Sequence, residues 1–284
     1  MNARFRSWAN FEYLNQQKER TMIDSLYIGA TGMHAQQLNV DTISGNLANV
    51  NTAGYKKSRV SFQDLMVREL ANRGLAMDGL SGQSGAAQQS LAGVGVMQIA
   101  KLFQDGELKK TDSPMDIAIS GKGFLEVTLA DGNSAYTRHG TLRISAEGLL
   151  AAADGSPLRP AIQIPAEARD LLIDASGMVS FAVSGEKQRV EAGQIELVDF
   201  INPAGLAPIG DNLYLATAAA GEPTTGMPGT DSLGRISQGY LEASNVKLVE
   251  EMVNLVLAQR AYEVSAKVVQ ASDEMLGISN NLRR

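Results

Sequence analysis

Apolar positions near the end of the chain recur at alternating steps of four and three residues. Between Ser244 and Leu282 the series runs Leu248, Met252, Leu255, Gln259, Tyr262, Ala266, Val269, Asp273 and Leu276, with no Pro to interrupt it. That spacing predicts a long amphipathic helix whose seam lies against another helix. At about 1.5 Å of rise per residue it would span roughly 55 to 60 Å, so a partner of similar length is needed. The other end of the chain repeats the rhythm with Ile23, Leu26, Ala30, Met33, Gln37, Val40, Ser44 and Leu47. This second helix is expected to start from an N-cap at Asp24 or Ser25 and to stop near Leu47 or Ala48. Gly29, Gly32 and Gly45 fall inside it, each at a cost of about 1 kcal/mol against Ala, which points to close backbone approach between packed helices.

Between these helices the period changes to that of strands. Asp116-Ile117-Ala118-Ile119, the runs 123–129, 141–144, 161–164, 178–183 and 194–200 are short, alternating and rich in β-branched residues. Asp131-Gly132, Asp154-Gly155, Ser176-Gly177, Ser184-Gly185 and Asn202-Pro203 separate them as turns. The expected fold is α+β: long N- and C-terminal helices pairing as a coiled-coil stalk, with an all-β domain, a sandwich or barrel-like unit, inserted between them. The expected boundaries are a helical stalk from 22–55 and 240–284 and a β-rich domain over 96–239. An extended or flexible linker is expected over 56–95, where the run from Gly74 is rich in Gly, Ser, Gln and Ala.

Residues 1–21 follow neither pattern. Arg4, Arg6, Trp8, Phe11, Tyr13, Lys18 and Arg20 make a basic, aromatic-dotted lead. A membrane-surface or targeting segment is one reading of it. The plainer reading takes Met22 as the true first residue and leaves 1–21 outside the fold.

Composition narrows the function. With 44 % hydrophobic and 20 % charged residues over 284 positions, the chain has the make-up of a folded protein. A net charge of −6 argues against nucleic acid, whose phosphates call for a basic surface. No cysteine is present, which removes disulfides, thiolate metal sites and cysteine nucleophiles. No apolar run is long enough to span a bilayer, and no cleavable signal layout opens the chain.

Candidate chemistry is sparse. His34 and His139 are the only histidines, and neither has a second at metal-ligand spacing. Gly93-Val94-Gly95 and Gly121-Lys122-Gly123 complete no phosphate-binding pattern and are read as turns. Glu250-Glu251 is expected to be a solvated pair favoured by the helix dipole at the start of the last helix. No catalytic, cofactor-binding or metal-ligating residue is assigned. Gln37 and Gln259 are polar positions in otherwise apolar seams. One reading has them set register, conceivably opposite each other; the other leaves both simply exposed.

Asn46-Leu47-Ala48-Asn49-Val50-Asn51-Thr52-Ala53-Gly54-Tyr55-Lys56, preceded by Ser25-Leu26-Tyr27 and Ala30-Thr31-Gly32-Met33, resembles the N-terminal signature of the axial proteins of the bacterial flagellum. Within it, Asn46, Leu47, Ala48, Asn49, Thr52, Gly54 and Tyr55 carry the likeness. Asp116-Ile117-Ala118-Ile119 with Gly123-Phe124, Tyr136-Thr137-Arg138, and Gly210-Asp211-Asn212-Leu213-Tyr214 are similar to phrases of that family's β domain. Gly239-Tyr240-Leu241-Glu242-Ala243-Ser244-Asn245-Val246, then Glu250-Glu251-Met252-Val253 and Gln259-Arg260-Ala261-Tyr262-Glu263, resemble its C-terminal signature. In order and spacing together these phrases are most similar to the basal-body rod family and its distal rod branch.

The resemblance implies a non-enzymatic subunit, exported by the flagellar type III apparatus without a cleavable signal, that polymerises helically with itself. It implies a place in the distal rod, the drive shaft crossing the periplasm, with proximal rod, hook and surrounding ring proteins as partners, and neither nucleic acid nor a membrane span. It also implies that the segment from Lys56 to Gly95 stiffens the rod. The self-assembly helices would act through Leu26, Met33, Gln37, Val40, Leu47, Leu248, Met252, Leu255, Gln259, Tyr262, Val269 and Leu276. The alternatives are a proximal rod or hook subunit, a secreted adhesin or binding module with dimerising helices, and a cell-wall hydrolase. The last would need a carboxylate or metal constellation.

Overall fold

A computed structural model describes residues 3–64, 94–183, 189–230 and 233–281. Helix α1 (Ala3–Ala48) opens the chain and helix α2 (Leu248–Asn281) closes it. α1 thus continues upstream of the capped start expected at Asp24 or Ser25. Between them run β1 (Ser58–Asp64), β2 (Val94–Lys101), β3 (Leu108–Lys110), β4 (Ile117–Ser120), β5 (Phe124–Thr128) and β6 (Ser134–Thr137). Next come β7 (Leu142–Ile144), β8 (Leu150–Ala152), β9 (Leu158–Arg159), β10 (Ala168–Ile173), β11 (Met178–Val183) and β12 (Arg189–Gln194). β13 (Leu197–Asp199), β14 (Ala207–Gly210), β15 (Leu213–Leu215), β16 (Thr224–Gly226), β17 (Arg235–Gln238) and β18 (Tyr240–Glu242) complete the set.

The described residues fall into two compact units. One draws on Met1–Gly45, Arg59–Ile99 and Val249–Arg284, the other on Asn46–Ser58 and Ala100–Leu248. Most of the linker expected over 56–95 lies outside the described residues.

In the second unit a seven-stranded antiparallel sheet takes the order β14-β15-β6-β5-β13-β16, with β9 also on β5. A three-stranded sheet, β10-β11-β12, and the ladders β17-β4, β18-β3 and β7-β8 accompany it. Strand alternation sets its core: Ile117, Ile119, Leu125, Val127, Leu142, Leu150, Ile173, Val179 and Leu197 are buried together. A second cluster is aromatic, with Phe124, Tyr136, Phe200 and Tyr214 meeting edge to face. Ile162 and Ile164 are buried as the alternation of 161–164 requires, but that run contributes one isolated bridge, from Gln163 to Leu149, rather than a strand.

The expected α+β arrangement with an inserted β region is present; the coiled-coil stalk is not. Of its expected seam, Ala30, Gln37 and Ser44 on α1 and Leu248, Met252, Gln259, Tyr262 and Asp273 on α2 are exposed. The fully buried positions lie beside that seam, while part of it is half-covered. On α2, Glu251, Ala258 and Ser272 are buried and Leu255, Ser265, Val269 and Leu276 half-buried; on α1, Gly29, Ala35 and Ile43 are buried. The cause is side-chain size. A Cβ on Gly29 would stand 2.6 Å from Val269 Cγ2, and one on Gly32 would stand 3.5 Å from Ser265 Oγ. The helices approach locally where Gly29 and Gly32 meet Val269 and Ser265, and other large apolar side chains of α2, Met252, Val253 and Leu257 among them, are exposed. Glu250 and Glu251 stand in the first turn of α2, as the helix-dipole reading expects, and Glu251 is buried at 1 % exposed.

Candidate functional site

Three of the phrases that carry the family likeness, those holding Lys56, Arg138 and Glu242, meet in the second unit at one buried carboxylate. Building it starts at the end of α1. The Asn46 side chain accepts from Ser58 N and donates to Ser58 O, both at 2.8 Å, and so closes the intervening turn as a backbone ladder would. Tyr55 donates its hydroxyl to Asn46 Oδ1 at 3.2 Å, and Thr52 Oγ1 donates to Asn49 Oδ1. Gly54 has φ +67°, and its Cβ position would lie 2.9 Å from the backbone of Arg138 and His139. Only a residue without a side chain fits both demands.

This turn delivers Lys56, whose side chain is 0 % exposed. Lys56 Nζ donates to Glu242 Oε1 at 2.6 Å and to Gln104 O at 2.7 Å. Arg138 Nε donates to Glu242 Oε2 at 2.9 Å, and its Nη2 donates to Gly121 O at 2.8 Å and to Asp105 Oδ1 at 3.3 Å. The Arg138 guanidinium also lies 5.9 Å from the Phe124 ring centre. Glu242 Oε1 further accepts from Gly106 N at 2.8 Å. Asn245 accepts from Lys57 N and donates to Leu102 O, each at 2.8 Å. Burial pulls the Lys56 ammonium below its ordinary pKa, Arg138 adds to this, and Glu242 opposes it. A buried ion set survives only when its members are hydrogen-bonded, and this one is.

Chemically the node is a joint. It ties the segment after α1, the end of β6 and the segment before α2 to one another. Its members hold their charges against each other. Among the described residues no group of three or more His, Asp or Glu is placed to hold a metal.

The remaining sequence-assigned residues sit elsewhere. Gln37 and Gln259 are brought to one cleft of about 360 Å³, with Val40, Tyr262 and Glu263. Leu26, Met33, Leu47, Leu255, Val269 and Leu276 are half-buried. His139 lines a cleft of about 740 Å³ with Asn49, Tyr55, Lys101, Asp154 and Asn212, and burial lowers its pKa. Lys101 lies 4.2 Å over the Tyr55 ring there. Lys56, Arg138, Glu242 and Asn245 were not assigned a role from the sequence. The available signal was a single charge closing an otherwise uncharged strand phrase, as in Tyr136-Thr137-Arg138 and Tyr240-Leu241-Glu242.

The family model "Flagella basal body rod protein" matches residues 26–56, "Flagellar hook protein FlgE/F/G D1 domain" matches 118–181, and "Flagellar basal body rod FlgEFG protein C-terminal" matches 237–282. All three describe rod and hook proteins of the flagellum. The flagellar basal-body rod protein FlgG of Borreliella burgdorferi is 42 % identical over 265 residues, covering 93 % of this chain and 100 % of its own. FlgG of Caulobacter vibrioides is 41 % identical over 261 residues (92 % and 100 %), and FlgG of Bacillus subtilis 35 % over 268 (93 % and 100 %). The chain belongs to the flagellar basal-body rod protein family.

Proposed function

We propose that this chain is a structural subunit of the flagellar basal-body rod, and that copies of it assemble helically into the distal rod between motor and hook. The observation that carries the assembly is the inverted character of α2. At about 3.6 residues per turn, the exposed stripe Val249, Val253, Leu257, Val264, Val268 and Met275 runs along a flank roughly 100° around the helix from the covered stripe of Ala258, Ser265 and Ser272. Val249 is 72 % exposed and Leu257 62 %. An uncovered apolar stripe on a long helix is a surface for partners. Contacts between unlike patches that do not close on themselves extend into a filament rather than a ring. The FlgG relatives support the rod assignment over nearly the whole chain.

In this reading the partners are further copies of the chain first, then proximal rod, hook and ring proteins at the ends and sides of the rod. The chain reaches the basal body through the flagellar export apparatus. The test is complementation of a bacterium that lacks its own FlgG. The full chain should restore complete rods in isolated basal bodies and swimming in soft agar; a chain ending before Val249 should restore neither. Basal bodies that stay rodless with the full, stably produced chain would overturn the assignment.

A further inference from the structure

We propose that Glu242 is a latch: docking of the N-terminal segment 46–58 onto its unit is conditional on the segment that carries Glu242, so that the two ends of the unit are committed together. This inference does not depend on what the subunit builds. Lys56 and Arg138 are both buried, both cationic, and both bonded to the two oxygens of one carboxylate. That carboxylate comes from 186 residues beyond Lys56 and 104 beyond Arg138. The other acceptors of Lys56 and Arg138 are neutral carbonyls, Gln104 O, Gly121 O and Ile119 O, and the Asp105 carboxylate, which is 60 % exposed and 3.3 Å from Arg138. Without Glu242, two like charges would be confined in a dry site against one solvated counter-charge, and the segment would be driven out.

Backbone groups follow the same dependence. Gly54 N donates to Glu242 O at 2.8 Å, and Lys57 N donates to Asn245 Oδ1 at 2.8 Å. From the other side, Gly106 N donates to Glu242 Oε1, and Ala243 N donates to Glu107 O at 2.8 Å. The amides of Gly54 and Lys57 are thus satisfied by the C-terminal segment. The core of the β sheets contains none of these side chains; Leu125, Val127 and Leu197 pack among themselves and other apolar residues. Undocking would therefore be local.

Native-state hydrogen exchange on the full chain tests this. Glu242→Gln should lower protection at 54–58 and 104–107 by about a hundredfold or more, the scale of stranding a buried charge, while 124–128 changes by less than about threefold. Adding Lys56→Met to Glu242→Gln removes one of the two like charges and should recover about tenfold or more of the loss. Lys56→Met alone keeps the Arg138–Glu242 pair and should leave 240–243 within about threefold of the parent. Unchanged protection at 54–58 in Glu242→Gln would overturn the latch. So would an equal loss at 124–128, which would make Glu242 a general stabiliser, and so would a double variant no better protected than the single one.

Discussion

Replacing Gly54 by Ala isolates the demand that the N-terminal signature places on its turn. The residue has φ +67°, in the left-handed region, where an L-residue costs roughly 1–2 kcal/mol. The added Cβ would also stand 2.9 Å from Arg138 C, Arg138 O and His139 Cα, all backbone atoms that no rotamer change can move aside. Overpacking of that kind costs about 1–3 kcal/mol. The sum, about 2–5 kcal/mol, is a large part of an ordinary folding free energy of roughly 5–15 kcal/mol. Gly239 supplies the control: its φ is +78° and nothing lies within 4 Å of its Cβ position. Gly239→Ala should therefore show the left-handed cost alone. Urea unfolding of the full chain, followed by the β-sheet circular dichroism signal, gives both values. If Gly54→Ala costs no more than Gly239→Ala within about 0.5 kcal/mol, the close approach of the signature turn to Arg138 is wrong.

Other outcomes follow from the same geometry. Gly29→Leu must displace Val269, whose Cγ2 lies 2.6 Å from the new Cβ position, whereas Gly45→Ala meets nothing within 4 Å. The first should lower the helical melting temperature, and the second should hold or raise it by the amount expected for up to about 1 kcal/mol of helix propensity. Burial holds the His139 pKa below its ordinary 6.5, so the folded state resists a proton that the unfolded state accepts. The stability contributed by the neutral imidazole is present above pH about 6.5 and is lost as pH falls from there toward the folded value. Thermal melts between pH 7.5 and 5.5 should show a smaller acid loss for His139→Gln than for the parent.

Much of the architecture was legible because the β region obeys the period-two rule. Phe124-Leu125-Glu126-Val127-Thr128 reads as a strand and is one, and the Asp154-Gly155 and Ser176-Gly177 turns fall between strands. The helices were legible as helices, but their faces were not. Large apolar side chains are ordinarily the covered ones, so Met252, rather than Glu251 one position away, read as seam. Here Gly29, Ser265 and Ser272 make the covered surface, since close backbone approach excludes bulk. The buried node was illegible for a different reason. Lys56, Arg138 and Glu242 look like solvated charges one at a time, and only the fold reveals that they share one site across 186 residues of chain. Turn glycines announce themselves locally; charge partners do not.

The central claim is that the outward apolar stripe of α2 drives assembly, and electron microscopy of the purified full chain at rising concentration tests it most directly. The comparison is a chain carrying Val253→Lys, Leu257→Lys and Val264→Lys, three exposed positions whose replacement should leave the subunit's own stability within about 0.5 kcal/mol each. The account predicts open tubes from the parent and dispersed, folded subunits from the variant. Tubes that form equally well from both would contradict it, as would a parent that stops at a small closed oligomer.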